Sequence, residues 1–522
     1  MQYHLEKVVL VAVLLAGLVL APFFAVNMVD GNFVPFMALV GFTLGCVLFF
    51  GLRDRIWISI PGAAAVGWQL GFLPIPFNLH ELSILAATGY MILTFVVMDR
   101  RKIEFGSFSI LAPIVIVCGI VLYHFLRVGG GMHVLGSNVY GGRANVNVLL
   151  GVLPFIIILS CAKNQPDLIR RTPAIIAICA ALGIMPNLIS TFFPSTAPMV
   201  DRITGRANME AFNEATAAFI QNSNEVQLGR INALGAAGIA IQTALLSYFP
   251  VQKWWRPKYW FVLILSILAF YLCVRSGFRN TLFTFGMITI VGGFLRIRWS
   301  ILPLVGGSLL FFVILLMGHG DIYKLPLSMQ RSLSFLPGKW DPVIIQNVEG
   351  SDDFRQAMHD IYWPKYGLRA PWFGDGFAMS KDAIINSDEL GHEGFIERKQ
   401  FHEGTISIYD SVGVIGIIGT LWLIFSVWKI VYRNRDKLKP EFITPLQAYA
   451  IMLFFVAPFS FIVVYGDMRN FFPGLTFLAA LILISFRENN KTVMEFAPTL
   501  IREEESQTEI ANPAPITNVT SW

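Results

Sequence analysis

One histidine in this sequence stands where an imidazole could do acid–base chemistry. His402 lies at the end of the polar segment 318–404, directly before an apolar run. At such a boundary an imidazole is partly withdrawn from water, so it can stay neutral and accept a proton near neutral pH. His402 is therefore predicted to act as a general base. The alternative is that it caps a helix or lies solvated at the interface.

Two arginines flank a very short connection between apolar runs. The connection reads Arg275-Ser276-Gly277-Phe278-Arg279. Charged side chains at membrane depth are energetically unfavourable and usually face a cavity or a partner. Guanidinium groups bind phosphate oxygens bidentately. We expect Arg275 and Arg279 to bind an anion, and the alternative is that they extend to lipid headgroups.

The composition of the whole chain indicates a membrane protein. Of its 522 residues, 55% are hydrophobic and 14% are charged, whereas a soluble domain carries about 25% charged residues. The mean hydropathy is +0.61. These values exclude a cytosolic enzyme, a nucleic-acid-binding domain and a disulfide scaffold. The cysteines lie inside apolar runs without metal-ligand spacing, so neither a disulfide framework nor a metal site is predicted.

Apolar runs of about twenty residues, the length that crosses a bilayer, recur along the chain. They predict an all-α polytopic membrane protein with about fourteen transmembrane helices (twelve to fourteen). The predicted spans are 8–26, 33–52, 56–73, 79–98, 107–126, 146–162, 172–190, 230–249, 259–275, 279–295, 300–317, 405–428, 443–465 and 470–486.

The lysines and arginines of the short loops fall in alternate loops, which favours a cytoplasmic location for those loops and for both termini. Segment 318–404 then lies outside. The resulting organisation is 1–190, N-terminal helices; 191–229, an outside segment with an amphipathic helix; 230–317, helices with the arginine turn; 318–404, the large loop; 405–486, C-terminal helices; and 487–522, a disordered cytoplasmic tail.

The spacing around His402 resembles a known signature. His402 and Glu403 are followed by nine residues, Gly413, two residues and Gly416. This is similar to the His-[Asn/Ser/Gln]-x9-Gly-x2-[Gly/Thr/Tyr] signature of the bacterial O-antigen ligase family. That superfamily also contains O-antigen polymerases and protein O-oligosaccharyltransferases. Glu403 departs from the pattern, because the family has an uncharged residue there.

Two further features support the resemblance. The run Pro371–Phe377, with Gly374 and Gly376, resembles the Pro-x-x-Gly-x-Gly turn that the family has upstream of its histidine. Arg279 matches an arginine in a Ser-Arg-rich turn, and Arg275 is an extra cation beside it.

The family also has an arginine shortly before a more upstream span. Arg230 fits that place best, and Arg202 and Arg206 are its rivals.

The resemblance implies a GT-C-like membrane glycosyltransferase architecture with one large, mostly helical extracytoplasmic loop. It also implies a metal-independent, cofactor-free, inverting transfer on the periplasmic face of the bacterial inner membrane. The donor would be a glycan on undecaprenyl diphosphate, and the acceptor a hydroxyl of a lipid-linked glycan, another glycan or a protein. His402 would be the base, and Arg279, Arg275 and Arg230 would bind the diphosphate.

The position of the histidine favours a ligase. The alternatives are an O-antigen or exopolysaccharide polymerase and a protein O-oligosaccharyltransferase. A multi-span transporter or lipid flippase is the rival from a different class, since about fourteen spans is a common number for such proteins.

Overall fold

The structure is a computed structural model. It describes residues 51–68, 78–98, 102–128, 139–140, 142–196, 200, 231–380, 391–401, 403–464 and 466–487. His402, Arg230 and the rivals Arg202 and Arg206 lie outside these ranges. The first predicted span, most of the second (33–52), the predicted amphipathic helix and the predicted tail after Arg487 also lie outside these ranges.

The described chain is a series of helices with one short strand pair. The first six helices are α1 (Ser59–Val66), α2 (Leu79–Met91), α3 (Phe108–Arg127), α4 (Gly142–Cys161), α5 (Pro166–Gly183) and α6 (Met185–Phe192). The next five are α7 (Asn232–Tyr248), α8 (Trp260–Arg275), α9 (Arg279–Ile297), α10 (Ile301–Met317) and α11 (Leu327–Leu333). The last five are α12 (Pro342–Lys365), α13 (His392–Glu397), α14 (Gly404–Arg433), α15 (Pro445–Phe459) and α16 (Met468–Arg487). Strands β1 (Val139–Tyr140) and β2 (Met379–Ser380) pair antiparallel.

Nine helices of the described residues are long and apolar enough to cross a membrane. The longest, Arg279–Met317, divides into α9 and α10 at Arg298, whose φ is 56°. The prediction of an all-α polytopic membrane protein is thus confirmed. The number of fourteen spans stays a prediction, because residues 1–50 lie outside the described ranges and α7, with 17 residues, is not among the nine.

Helix α7 lies at the centre of the second half of the bundle, against α5, α8, α9 and α15. Small residues allow this close packing. A β-carbon on Gly235 would lie 2.4 Å from Thr281 Cγ2, and one on Gly238 would lie 2.5 Å from the Ala269 carbonyl oxygen. Such contacts are typical of membrane helices, in which van der Waals packing has to replace the hydrophobic effect. They fix α8 and α9 relative to each other.

The residues after α10 pack on one end of the bundle, which we call the loop end. Helix α12 begins there at Pro342. The carboxylate of the preceding Asp341 caps the helix by accepting a hydrogen bond of 3.0 Å from the Val343 N–H. Its 24 residues make a rod of about 36 Å. A small core joins α12, α13 and the start of α14: Met358, Tyr362, Tyr366, Ile396, Phe401 and Ile406.

Replacing Gly238 by valine is expected to unfold the protein at a lower temperature. The new side chain would overlap the Ala269 carbonyl and Cys273 Sγ, both within 2.6 Å of the added β-carbon, and overpacking of this kind costs about 1–3 kcal/mol. The thermal unfolding midpoint of the purified protein in detergent measures the effect. Gly306→Val is the control, since a β-carbon there meets nothing within 4 Å. Equal midpoints for the two variants would contradict the packing described for α7.

Candidate active site at the loop end of the bundle

The two glycine motifs of the sequence contact each other. Helix α14 is interrupted at Gly413, whose φ and ψ are 63° and −168°. The turn before β2 fills the interruption: the Val414 N–H donates to the Pro371 carbonyl at 2.9 Å, and the Asp375 N–H donates to the Asp410 carbonyl at 2.6 Å. Backbone groups freed by the break in α14 therefore find partners in this turn.

The close approach requires glycine on both sides. Gly374 has a φ of 73°, and its β-carbon would lie 2.5 Å from the Asp410 carbonyl oxygen. A β-carbon on Gly413 would lie 2.5 Å from the Trp372 carbonyl oxygen. Neither position accommodates any other residue without a shift of the backbone. The turn at Pro371–Phe377 and the glycines of α14, which are two separate motifs in the sequence, thus form one interlocked unit.

The remaining two glycines support this unit. Gly376 has a φ of 77°, and the His124 ring of α3 lies 2.7 Å from where its β-carbon would be. His124 Nε2 is 2.8 Å from the Phe373 carbonyl oxygen, which anchors the turn to α3. Gly416 lies one turn after the break, and a β-carbon there would be 2.3 Å from Val412 Cβ.

The residues on either side of His402 are firmly held. Lys399 adopts a left-handed backbone conformation with φ of 59°. Its Nζ lies 2.7 Å from Asp410 Oδ2, and the two side chains are 12% and 3% exposed. The Arg469 guanidinium donates to the Lys399 carbonyl at 3.3 Å. The segment that carries residue 402 is therefore joined to α14 and to the start of α16.

Helix α12 contributes a second partner to the same carboxylate. The Tyr362 hydroxyl donates to Asp410 Oδ1 at 3.2 Å, and the ring packs on Phe401 with centroids 5.7 Å apart. Burial, together with the negative charge of Asp410, raises the pKa of Tyr362, so this hydroxyl stays protonated and acts as a donor. Asp410 thus links α12, α14 and the Lys399 segment.

Glu403, the departure from the family signature, faces α12. Its Oε1 accepts a hydrogen bond from the Thr405 hydroxyl, and its Oε2 lies 2.8 Å from His359 Nε2. The Trp363 indole N–H donates to His359 Nδ1 at 3.0 Å. Because an indole nitrogen can only donate, Nδ1 has to carry a lone pair, and the proton of the neutral ring is on Nε2, beside Glu403.

The arginine turn is built as the sequence predicts, but its two arginines have different surroundings. Arg275 ends α8, and its Nη1 donates to the Ser328 hydroxyl of α11. Arg279 begins α9, and its Nη2 lies 3.2 Å from Asp352 Oδ1 of α12. Only Arg279 of this pair lines the large cavity described below.

The chain that leads into α7 lies beside this turn. The Ile231 N–H donates to the Ser276 carbonyl at 3.0 Å. The Ser276 hydroxyl is fully buried and within 2.9 Å of the Thr281 hydroxyl, which keeps the turn compact. Arg230 itself is outside the described residues, but its neighbour Ile231 is thus bonded to the arginine turn.

A cavity of about 1930 Å³ runs between α8, α9 and α10 up to the loop end. Its walls within the bundle are mainly apolar and include Leu263, Phe270, Phe285, Ile290 and Phe312. Trp254 and Trp255 mark one end, and α11, α12 and α13 cover the other. The volume is roughly twice the upper limit of ordinary small-molecule pockets, which are about 300–1,000 Å³.

Three guanidinium groups line the covered end of this cavity. Arg279 comes from α9, Arg331 from α11 and Arg355 from α12. Amide side chains accompany them: Asn280, Gln346, Asn347 and Gln400. A large apolar space that ends in arginines and amides suits an amphiphile with an anionic head. Gln400, two residues before His402, also lines the cavity, so the cavity extends to the segment that precedes the histidine.

One stripe of α12 contacts both parts of the site. Asp352, Arg355, His359 and Tyr362 follow each other at spacings of three and four, so they share one helix face. Asp352 contacts Arg279, Arg355 lines the cavity, His359 contacts Glu403, and Tyr362 contacts Asp410. The stripe covers about 15 Å along the helix axis.

Sequence reasoning missed Arg331, Arg355 and His359. The cavity-lining residues of α12 recur at helical spacing, and this periodicity in the sequence could have indicated Arg355. They are Gln346, Asn347, Gly350, Ser351, Phe354 and Arg355. No comparable signal distinguishes Arg331. Within the described ranges no group of three or more His, Cys, Asp or Glu residues could hold a metal ion.

Replacing Lys399 by methionine is expected to destabilise the protein strongly. The change would leave the Asp410 carboxylate buried without its cation, and breaking one side of a buried pair costs about 3–5 kcal/mol. The thermal unfolding midpoint measures the loss. The double variant Lys399→Met, Asp410→Asn is expected to recover a large part of it, because no buried charge then remains. A wild-type midpoint for Lys399→Met alone would show that the pair does not stabilise this segment.

No model of a known protein family matches the chain, and no curated protein matches it at a significant level. The resemblance to the O-antigen ligase family therefore depends on the residues around His402 and Arg279.

Proposed function

We propose that this protein is a membrane glycan ligase, similar to O-antigen ligases. It transfers a polysaccharide from undecaprenyl diphosphate to an acceptor hydroxyl on the periplasmic face of the bacterial inner membrane. The observation that carries the proposal is the apolar cavity that ends in Arg279, Arg331 and Arg355 and reaches Gln400, two residues before His402 in the sequence. A polyprenyl chain fits the apolar part, and a diphosphate fits the guanidinium end.

The arginines suit the departure of a diphosphate leaving group. In the transfer, the acceptor oxygen attacks the anomeric carbon, and the bond from that carbon to the diphosphate oxygen breaks with inversion. The electron pair leaves with undecaprenyl diphosphate. Guanidinium groups placed beside those oxygens stabilise the charge that develops there. Arg279 is also the first residue of α9, where unpaired backbone N–H groups favour an anion.

His402 takes the proton of the acceptor hydroxyl in this proposal. Its segment is joined to α14 by the Lys399–Asp410 pair and to α12 by the contact of Glu403 with His359. A base has to be held near its target for proton transfer to be efficient.

A lipid transporter or flippase is the second candidate. The length of the cavity favours it, because the lining runs from Trp254 and Trp255 to Arg355 and so along the bundle. A flippase would move a lipid-linked glycan across the bilayer of a sealed vesicle without forming a new glycosidic bond. Movement of the lipid without transfer to any acceptor would favour this second function.

Substituting alanine for Arg279 or Arg355 is expected to lower the transfer rate by about a hundredfold or more, as for other groups that stabilise developing charge. Arg279→Lys is expected to fall between the wild type and Arg279→Ala, because an ammonium group lacks the planar fork. The assay is glycan transfer from an undecaprenyl-diphosphate donor in membrane vesicles. Arg369→Ala is the control, since Arg369 lies in segment 318–404, as Arg355 does, but is not among the residues that line the cavity. Its guanidinium stacks on the Tyr366 ring at 4.2 Å. If Arg279→Ala turns over at the wild-type rate, the cavity does not take part in the reaction.

Replacing His402 by alanine is expected to abolish transfer while leaving lipid binding intact, because the proposal assigns the diphosphate to the arginines of the cavity and only the proton transfer to His402. Two measurements are needed: transfer in vesicles, and binding of undecaprenyl diphosphate to the purified protein. If the variant turns over at the wild-type rate, His402 is not the base.

Inorganic pyrophosphate is expected to bind far more weakly than undecaprenyl diphosphate, since it buries no apolar surface.

A further inference from the structure

A carboxylate contacts one of the three arginines at the covered end of the cavity. Asp352 Oδ1 lies 3.2 Å from Arg279 Nη2, and the contact joins two residues that are 73 positions apart. Arg279 is 25% exposed and Asp352 is 57% exposed at the side chain. The carboxylate oxygen is thus paired with the guanidinium group that the proposed function assigns to the diphosphate. Carboxylate and diphosphate both carry negative charge, so they cannot share one guanidinium nitrogen without repulsion.

The exposed pair is weak enough to be exchanged. Ion pairs of this exposure contribute little, because water and salt screen them and the side chains lose rotamer freedom. A phosphate in bidentate contact with an arginine binds more strongly than a single carboxylate oxygen. Arg331 and Arg355 add to the attraction for a diphosphate at the same end of the cavity. The carboxylate is therefore the partner that gives way when a diphosphate enters.

We propose that Asp352 is a competing counter-ion that promotes release of the product diphosphate. This inference rests on the proposed function. The product, undecaprenyl diphosphate, keeps the group that the arginines bind, so a cavity with arginines alone would retain it. Asp352 swings away when the donor binds and returns to Arg279 as the product leaves. It lowers the affinity for donor and product alike, and it shortens the time for which the product stays bound.

This role gives a kinetic signature that loss of structure does not. A group that weakens binding of donor and product raises KM, and it raises kcat where product release limits turnover. Removing the charge of Asp352 is therefore expected to lower KM and kcat together. A merely structural residue would lower kcat and leave KM unchanged or raise it.

The test measures binding of undecaprenyl diphosphate to the full-length protein in lipid nanodiscs, for the wild type and Asp352→Asn. The variant is expected to bind about two- to fivefold more tightly and to release the lipid more slowly, which is the range of an exposed ion pair. Asp353→Asn is the matched control. Asp353 is the next residue of the same helix, exposed and turned away by about 100°. It is expected to bind like the wild type.

A second comparison separates this inference from the proposed function. In the background Arg279→Ala, the substitution Asp352→Asn is expected to have no further effect on binding, because its partner is gone. Wild-type binding by Arg279→Ala itself would overturn the proposed anion site. Weakened binding by Arg279→Ala, combined with unchanged or weakened binding by Asp352→Asn, would overturn only the role of Asp352.

Discussion

Charged side chains at the edge of an apolar membrane cavity usually face a partner. The partner of Arg279 is Asp352, which comes from α12, outside the bundle. The packing of Met358 and Tyr362 of α12 with Phe401 and Ile406 keeps this helix over the end of the cavity. Once α12 is there, its polar stripe determines the surroundings of the histidine segment. His359 lies beside Glu403 and Tyr362 bonds to Asp410, each about two turns or more from Asp352.

The break in α14 provides binding partners for the turn at Pro371–Phe377. A straight helix would satisfy its own backbone groups and leave no partner for the turn at Pro371–Phe377. The break at Gly413 exposes the Asp410 carbonyl and the Val414 N–H, and the turn binds both. The side chain of Asp410 then binds Lys399, three residues before His402. One glycine thus connects the backbone of α14, the turn and the histidine segment.

The sequence allowed prediction of those parts of the site in which spacing is local. The turn between Arg275 and Arg279 and the glycine spacing around Gly413 are short patterns with direct steric causes, and the structure has both features. The direction in which an arginine side chain points does not follow from its neighbours in the sequence. Arg275 and Arg279 are four residues apart, and only their contacts with Ser328 and Asp352 determine which of them lines the cavity.

The same limit explains the residues that the sequence did not reveal. Arg331 and Arg355 belong to helices whose positions depend on tertiary contacts across more than fifty residues, such as Arg331 with Gly277. The all-α membrane fold, by contrast, follows from apolar runs of bilayer length and is confirmed by the nine helices of the described residues. The number of spans and the place of Arg230 depend on segments outside those residues, so they stay predictions.

Glu403, the departure from the motif, has partners of its own in the fold. A carboxylate beside a catalytic imidazole would favour the protonated ring and so weaken it as a base. Here the carboxylate contacts other groups: Thr405 donates to one oxygen, and the protonated nitrogen of His359 lies beside the other. Trp363 fixes which nitrogen of His359 carries that proton. Glu403 thus has a neighbour on α12, the same helix that supplies Asp352 to Arg279. Helix α12 therefore contacts both ends of the candidate site, Arg279 at one end and Glu403 at the other.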